Sequence, residues 1–246
     1  MGKLWDSVNS TIEKSDILVI VLDARFIHET INAEIIEKIK KQDKPYFYAV
    51  NKTDLKNIID ESTIPKPYVL VSAFNHVGKS DLRKMMFMIG EKKYGKNCSL
   101  KIGILGYPNV GKSSIINMLK MKKSASTSIM SGRTKSEKII RIDERILLID
   151  TPGVIPYGEA DKLKLLLIGS IDYEKVKYPD DALEDVMRKY PGVIEKYFGV
   201  EPGDDHSETI EKIALKMHLL RKGGLPDTQR AARMIIREFQ SGKLRL

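Results

Sequence analysis

One segment limits what this chain can fold into more than any other: residues 106–113, which read Gly-Tyr-Pro-Asn-Val-Gly-Lys-Ser. A largely apolar segment, Leu100–Leu105, precedes it, and residues 114–120 place apolar side chains at helical spacing after it. A strand, a glycine loop and a helix in this order predict a phosphate-binding loop. Glycines permit the backbone to point successive N–H groups at one anion, and the helix dipole adds positive potential there.

The side chains of this loop have predicted roles of their own. Lys112 is expected to contact the outer phosphates, and the hydroxyl of Ser113 is expected to hold Mg²⁺. The predicted nucleotide contacts in the loop are Asn109, Val110, Gly111, Lys112, Ser113 and Ser114. The alternative is a glycine turn without a ligand, which the adjacent Lys-Ser pair disfavours.

The composition is that of an ordinary globular chain with a basic excess. Of the 246 residues, 42% are apolar and 30% are charged, and 42 basic against 33 acidic residues give a net charge of +9. This excess favours polyanionic partners such as nucleic acid, although a generic basic surface remains the alternative. No apolar run approaches the roughly 20 residues needed to cross a bilayer, and the only cysteine is Cys98. We therefore expect a cytoplasmic protein without membrane attachment.

Strand and helix patterns alternate up to about residue 160. Apolar runs predict strands at residues 17–22, 45–50, 67–71, 100–105, 138–143 and 145–149, and helical periodicity predicts helices at residues 30–41, 81–90 and 114–120. This alternation predicts an α/β fold with a doubly wound, mostly parallel sheet in residues 1–160. Only helical patterns follow, so residues 161–246 are predicted to form a separate all-α domain.

A second phosphate motif, Asp-Thr-Pro-Gly at residues 150–153, ends a predicted strand. The carboxylate of Asp150 can hold a water bound to Mg²⁺, and the N–H of Gly153 can sense the γ-phosphate. Alone, such a tetrapeptide could be a simple turn. After a phosphate-binding loop and at the end of a strand, it indicates a triphosphate site.

A base-recognition motif, Asn-Lys-Thr-Asp at residues 51–54, ends an earlier strand. The carboxylate of Asp54 can accept hydrogen bonds from guanine N1–H and the exocyclic amine together, whereas adenine lacks this donor pair. Lys52 can lie along the base, and Asn51 can brace the neighbouring loops; Thr53 completes the motif. Ser72 and Ala73 follow the next strand, and their backbone N–H groups are predicted to meet the guanine oxygen.

These motifs resemble those of the small GTPases, but the base motif comes first and the phosphate motifs come later. That order resembles the circularly permuted GTPases of the YlqF/RbgA-like ribosome-assembly family. The resemblance includes Asp-Ala-Arg at residues 23–25 and the tail from Gly223 to Lys243. It implies a permuted P-loop NTPase fold, GTP and GDP as ligands, and rRNA and the large ribosomal subunit or its precursor as partners. The lysine- and isoleucine-rich composition suggests an archaeal-type member.

The resemblance also bears on hydrolysis. Val154 stands where many GTPases carry a glutamine that orients the attacking water. Asn109 matches an asparagine that helps related enzymes bind K⁺; bracing of the loop is the alternative. Thr134 is the expected switch threonine and Mg²⁺ ligand, with Thr127 as the other candidate. The chain lacks the histidine that bacterial relatives carry near the N-terminus, so slow turnover raised by potassium and the ribosome is expected.

The last predicted helix, residues 227–240, is amphipathic. Asp227 or Thr228 can cap it and Gly242 can end it. Its arginines, Arg230, Arg233 and Arg237, are spaced three and four apart, which suits contacts to RNA phosphates; a solvated basic face is the alternative.

Together these features predict a monomeric GTPase in late large-subunit assembly that couples nucleotide state to rRNA binding. The alternative is a nucleotide-dependent RNA-binding switch with negligible hydrolysis, which the absent glutamine and histidine keep open.

Overall fold

The computed structural model describes residues 3–120, 138–159 and 161–244. The strands are β1 Ile17–Asp23, β2 Tyr46–Asn51, β3 Tyr68–Leu70, β4 Leu100–Leu105, β5 Lys138–Arg141 and β6 Ile146–Asp150. The helices are α1 Lys3–Lys14, α2 Ala33–Lys41, α3 Lys79–Tyr94, α4 Lys112–Leu119, α5 Lys162–Leu167, α6 Pro179–Lys189, α7 Val193–Phe198, α8 His206–Lys216 and α9 Thr228–Ser241. Short 3₁₀ helices occupy Thr53–Leu55, Glu61–Thr63 and Tyr173–Lys175. The chain divides into two compact units, residues 1–159 and residues 160–246.

The first unit is built on a six-stranded sheet in the order β3-β2-β1-β4-β6-β5. The first five strands in this order are mutually parallel, and β5 pairs with β6 in the antiparallel sense at one edge. All seven residues of β1 are buried, as expected for a central strand covered on both faces. The predicted fold class, a doubly wound and mostly parallel sheet, is thereby confirmed.

The apolar core of this unit joins the first two helices to the central strand. Trp5, Val8 and Ile12 of α1 are buried in one cluster with Ile35 and Ile39 of α2. Alternate residues of β1 complete it: Leu18, Ile20 and Leu22. Full burial of one such side chain contributes about 1.5–3 kcal/mol, so this cluster holds the strand that lies between the two nucleotide motifs.

Side-chain caps fix the starts of two helices, and in one case the start differs from the prediction. Helix α2 was expected from residue 30 but begins at Ala33, because the side chain of Asn32 accepts the N–H of Ile35 and caps the helix. Thr30 instead accepts the N–H of Asp23. Helix α8 begins at His206, because Asp205 caps it through the N–H of Glu208.

The second unit is helical and is organised around α9. The side chain of Asp227 accepts the N–H of Arg230 at the start of this helix, and Gly242 ends it in the left-handed conformation. Its apolar residues Ala231, Ile235 and Phe239 are buried. Across the described ranges, no helix combines the length and the hydropathy that a membrane span needs.

Candidate nucleotide site

The phosphate-binding loop connects β4 to α4 through an unusual backbone path. Gly106, Asn109 and Gly111 have φ values of 148°, 62° and 97°. A Cβ at position 106 would lie 2.7 Å from the carbonyl oxygen of Val21, and one at position 111 would lie 2.2 Å from Nδ2 of Asn51. Glycine is therefore required at both positions, because the loop passes directly against β1 and against the base motif.

Lys112 lies buried inside this loop. Its Nζ donates to the carbonyl oxygens of Gly106 at 3.1 Å and Tyr107 at 2.6 Å. Burial lowers the pKa of Lys112 to about 8, although the charge of Asp150 opposes the shift. An anionic phosphate beside this ammonium would stabilise its charged form.

Asp150 ends β6, the strand next to β4. Burial raises its pKa, and the positive charge of Lys112 acts in the opposite direction. Its Oδ1 is buried and has no hydrogen-bond partner among the residues that the structure describes. A buried carboxylate oxygen without a partner costs free energy, so this atom is suited to receive a metal-bound water.

The rest of the second phosphate motif packs against the first. A Cβ on Gly153 would lie 2.5 Å from the backbone nitrogen of Pro108 and 2.7 Å from Nζ of Lys112. The N–H of Val154 donates to the carbonyl oxygen of Gly106 at 3.4 Å, and the Val154 side chain is buried. The structure therefore brings the two predicted phosphate motifs together, with an apolar side chain after Gly153.

The base motif touches the phosphate loop through Asn51, which ends β2. Its Nδ2 donates to the carbonyl oxygen of Val110 at 3.0 Å, and its Oδ1 accepts the N–H of Ala73 at 3.0 Å. One buried amide thus joins three loops that lie far apart in the chain, in the bracing role expected for it.

Asp54 is held by the following loop. The hydroxyl of Ser72 donates to Oδ1 of Asp54 at 2.6 Å and accepts the N–H of Asn75 at 3.1 Å. The N–H groups of Ser72 and Ala73 were expected to face the guanine oxygen. In this structure they donate instead to the carbonyl oxygen of Val77 and to Oδ1 of Asn51. The backbone N–H of Thr53 donates to the carbonyl oxygen of Val71, so Thr53 fixes the motif against the end of β3.

The structure also adds Asp23 and Arg25 to the site residues predicted from the sequence. Asp23, at the end of β1, is fully buried and receives Nη2 of Arg25 at 2.7 Å and Nζ of Lys52 at 2.8 Å. Burial acts to raise the pKa of Asp23, but the hydrogen bond from Arg25 and the charge of Lys52 outweigh it and leave the pKa below its ordinary value. The signal was available, because Asp-Ala-Arg follows a strand at the same sheet edge.

The remaining predicted residues differ in exposure and position. Ser113, Ser114 and Asn109 are exposed on the loop and the first turn of α4. Thr134 and Thr127 fall outside the described residues. In the helical unit Arg230 and Arg237 are exposed, whereas Arg233 is half-buried and donates to the carbonyl oxygen of Val176 at 3.4 Å. The three arginines of α9 therefore differ in solvent exposure, and only two of them are exposed.

The donor set fits a magnesium ion that binds with a nucleotide. The described residues contain no group of three or more His, Cys, Asp or Glu side chains that could hold a metal on their own. They do provide a hydroxyl on Ser113 and the unpartnered carboxylate oxygen of Asp150. Mg²⁺ favours one or two such protein ligands together with phosphate oxygens and water.

Comparison with known proteins gives relatives over nearly the whole chain. A family model described as "50S ribosome-binding GTPase" matches residues 101–189. An uncharacterized GTP-binding protein of Methanocaldococcus jannaschii is 39% identical over 245 residues, covering 96% of this chain and 65% of the relative. Nucleolar GTP-binding protein 2 of Saccharomyces cerevisiae is 30% identical over 256 residues, covering 98% of this chain and 52% of the relative. The chain thus spans between about half and two thirds of these relatives' lengths.

Solved structures share the fold. The GNP-bound YlqF of T. maritima superposes with a TM-score of 0.66 at 24% identity, over 99% of this chain and 96% of the other. The GDP-bound YlqF structure gives a TM-score of 0.63 over 97% of this chain and 95% of the other, also at 24% identity. Both likenesses extend over residues 1–159 and the helical unit alike.

Proposed function

This chain has the fold and the motif order of the YlqF-like circularly permuted GTPases, and we propose that it binds GTP and GDP and hydrolyses GTP to GDP and phosphate. The observation that carries this proposal is the pair of hydrogen bonds made by Asn51. They place the guanine-type motif against the phosphate loop at one edge of the sheet. Ligands of open parallel sheets bind at this edge, beyond the carboxyl ends of the strands.

Base selection would rest on Asp54 and Lys52. The bond from Ser72 to one oxygen of Asp54 holds the carboxylate in one rotamer before any base arrives. Lys52 adopts a left-handed backbone conformation, with φ of 64°, and its ammonium is tied to Asp23. Its aliphatic stem is thereby held at the site, ready to lie along a purine ring.

Phosphate binding would rest on the loop backbone and on Lys112. Its Nζ would exchange the carbonyl oxygens of Gly106 and Tyr107 for phosphate oxygens. Ser113 and Asp150 would hold Mg²⁺, which supplies positive charge at the phosphate oxygens when bound. The N–H of Gly153 would report the γ-phosphate, and Thr134, or else Thr127, would serve as the switch threonine.

Hydrolysis is proposed to be slow without a partner. Val154 is buried and offers no polar group to orient a water, so positioning must come from elsewhere. We propose that Asn109 helps to hold K⁺ beside the phosphates and that ribosomal particles raise the rate further. The exposure of Asn109 and its positive φ support an accessible ligand at this point.

The proposed cellular role is in ribosome biogenesis, at a late step of large-subunit assembly. The description of the matched family model and the name of the nucleolar relatives support this role. Residues 161–246 would bind rRNA through the exposed Arg230 and Arg237 and couple that binding to the nucleotide state. We further propose that the protein is cytoplasmic and acts as a monomer. Light scattering on the purified chain would test the monomeric state by measuring its mass in solution.

Three measurements test the function. Calorimetry should show binding of GDP and GTP with no measurable binding of ADP or ATP. Single-turnover GTP cleavage should be faster in potassium than in sodium and faster again with large ribosomal subunits. The protein should co-sediment with those subunits in a nucleotide-dependent manner. Equal affinity for adenosine and guanosine nucleotides would overturn the proposal.

A second function is favoured by one observation, the apolar Val154 at the water-orienting position. In this case the chain would be a nucleotide-dependent RNA-binding switch whose hydrolysis is negligible. Single-turnover cleavage discriminates the two: no cleavage above the uncatalysed rate, with potassium and ribosomal subunits present, would leave only the switch.

A further inference from the structure

A groove of about 360 Å³ opens within the helical unit, and none of its lining residues belongs to the nucleotide site. Its lining comes from α5, from the 3₁₀ helix Tyr173–Lys175 with the segment after it, and from α6. Apolar side chains form much of the wall, namely Leu163, Leu166, Ile171 and Val176. The volume lies in the range of about 300–1,000 Å³ that small organic ligands occupy.

The groove carries positive charge together with an aromatic ring. Lys162, Lys175 and Lys177 line it, and none of them forms an ion pair within the described part of the chain. The ammonium of Lys177 lies 5.0 Å from the ring centroid of Tyr178. Tyr178 nevertheless stays 55% exposed, so its ring is accessible from solvent.

Acceptor oxygens line the groove as well. Asp185 is bonded to Arg188 at 2.8 Å, whereas Asp181 forms no ion pair with any described residue. A free carboxylate would repel phosphate but accept hydrogen bonds from an amino group. The lining therefore combines an apolar wall with one aromatic ring, three lysines that form no ion pair with described residues, and two carboxylates, of which only Asp185 forms an ion pair.

One wall residue of the groove contacts the arginine helix α9. The guanidinium of Arg233 donates to the carbonyl oxygen of Val176, which belongs to the groove wall. The side chain of Arg233 is half-buried where it makes this contact. The basic row on α9 and the lysines of the groove are thus joined through one side chain within the same unit.

We propose that this groove binds one unstacked base of single-stranded RNA, with the adjoining phosphates on its lysines. The inference rests on the proposed function that residues 161–246 bind RNA, and it names the part of the RNA that is read. Single-stranded RNA is recognised by splaying bases onto aromatic side chains while cations follow the backbone. The carboxylate of Asp181 favours a base with an amino group, so cytosine binds in preference to uracil.

The test is fluorescence anisotropy of the full chain, saturated with GDP, using labelled oligocytidine, oligouridine and a blunt RNA duplex. Tyr178→Ala should weaken oligocytidine binding roughly 5- to 150-fold, because one base loses its stacking partner. Tyr178→Phe should bind like the wild type, because it keeps the ring. Asp181→Asn should reduce the preference for oligocytidine over oligouridine.

A matched control is available for the lysine. Lys189 also lies beside the ring of the tyrosine that follows it, at 5.6 Å from the centroid of Tyr190, and it is outside the groove. Lys177→Ala should weaken oligocytidine binding and reduce its salt dependence by about one phosphate contact, whereas Lys189→Ala should change neither. Circular dichroism of each variant should match the wild type.

The outcomes separate the two proposals. Suppose that the wild type binds oligocytidine, that the double variant Arg230→Glu with Arg237→Glu binds it more weakly, and that Tyr178→Ala binds it as the wild type does. The groove proposal is then overturned while the RNA-binding function stands. If the wild type binds no RNA in any form, both are overturned. If Tyr178→Ala weakens binding to ribosomal subunits but not to oligocytidine, the groove holds a protein segment and the base proposal is wrong.

Discussion

The Nδ2 atom of Asn51 donates to the carbonyl oxygen of Val110 at 3.0 Å, across 59 residues of sequence. The same amide accepts the N–H of Ala73 through its oxygen. Strand β1 lies between the strands that carry Asn51 and the phosphate loop, so the side chain reaches over the end of that strand. This contact joins motifs that are far apart in the chain into one site. Loss of the Asn51 side chain should therefore reduce both the stability of the fold and the affinity for nucleotide.

A double-mutant cycle tests this contact. Asn51→Ala leaves two buried backbone groups without partners, which costs about 1–3 kcal/mol for each. Gly111→Ala places a methyl group 2.2 Å from Nδ2 and strains a backbone with φ of 97°. Because Asn51→Ala removes the clashing atom, the double variant should be less destabilised than the sum of the single variants in urea unfolding.

The control for this cycle is Gly95→Ala. Gly95 also has a positive φ, of 87°, but a Cβ there would meet nothing within 4 Å. The variant Gly95→Ala should therefore lose stability through backbone strain alone. Its effect on the free energy of unfolding should add to that of Asn51→Ala without coupling. Additivity of Asn51→Ala and Gly111→Ala to within about 0.5 kcal/mol would contradict the proposed bracing role.

Asp54→Asn should change the base that the site accepts. The substitution replaces the carboxylate that we propose pairs with two guanine donors, and each lost charged hydrogen bond is worth about 1.5–3 kcal/mol. We expect GDP affinity to fall at least about tenfold, and xanthosine diphosphate, which carries a carbonyl oxygen in place of the guanine amine, to bind better than GDP. Calorimetry measures both. Asp81→Asn, at an exposed surface pair with Lys84, should leave GDP affinity unchanged.

Asp23→Asn should remove a stabilisation that depends on pH. The pKa of Asp23 is lowered in the folded state, so its contribution is present above the unfolded value near 3.8 and is lost as pH falls through the folded pKa. Breaking this buried pair should cost about 3–5 kcal/mol near neutral pH. The difference in unfolding free energy between wild type and variant should shrink below about pH 4. A difference that stays constant across the acid range would argue against a charged Asp23.

Nucleotide binding should take up protons near the pKa of Lys112. This group is partly neutral at pH 8 because burial lowers its pKa to about 8, and phosphate beside it favours the charged form. Titration of GDP at pH 8, in buffers of different ionisation enthalpy, should therefore show proton uptake. The same titration below about pH 7, where Lys112 is already charged, should show less. Equal heats in all buffers at pH 8 would contradict this assignment.

Charge reversal on α9 should distinguish its arginines. Arg230→Glu with Arg237→Glu alters two exposed positions and should weaken binding to ribosomal subunits and reduce its salt dependence, with GDP affinity unchanged. Arg233→Glu should in addition lower the stability of the helical unit, because this guanidinium is half-buried on the carbonyl oxygen of Val176. Thermal unfolding followed at helical wavelengths separates the two effects. Equal loss of stability in both variants would refute the distinction.

The sequence by itself determined the motifs, their permuted order and most of the elements that carry them. These features are local: a glycine loop between a strand and a helix, an apolar run such as β1, or a helix capped by Asp227 is encoded within a few residues. The fold class followed from the alternation of these elements, because few topologies bury such strands.

Only the tertiary structure decided which groups meet. The pairing of Asp23 with Lys52, the capture of the Ala73 N–H by Asn51 and the contact of Arg233 with Val176 join residues that no local pattern links. Each depends on the order in which strands or helices pack, and that order is set by burial of whole faces rather than by neighbours in the chain. Which polar atoms remain without a protein partner is therefore known only from the structure, in which the strand ends lie side by side.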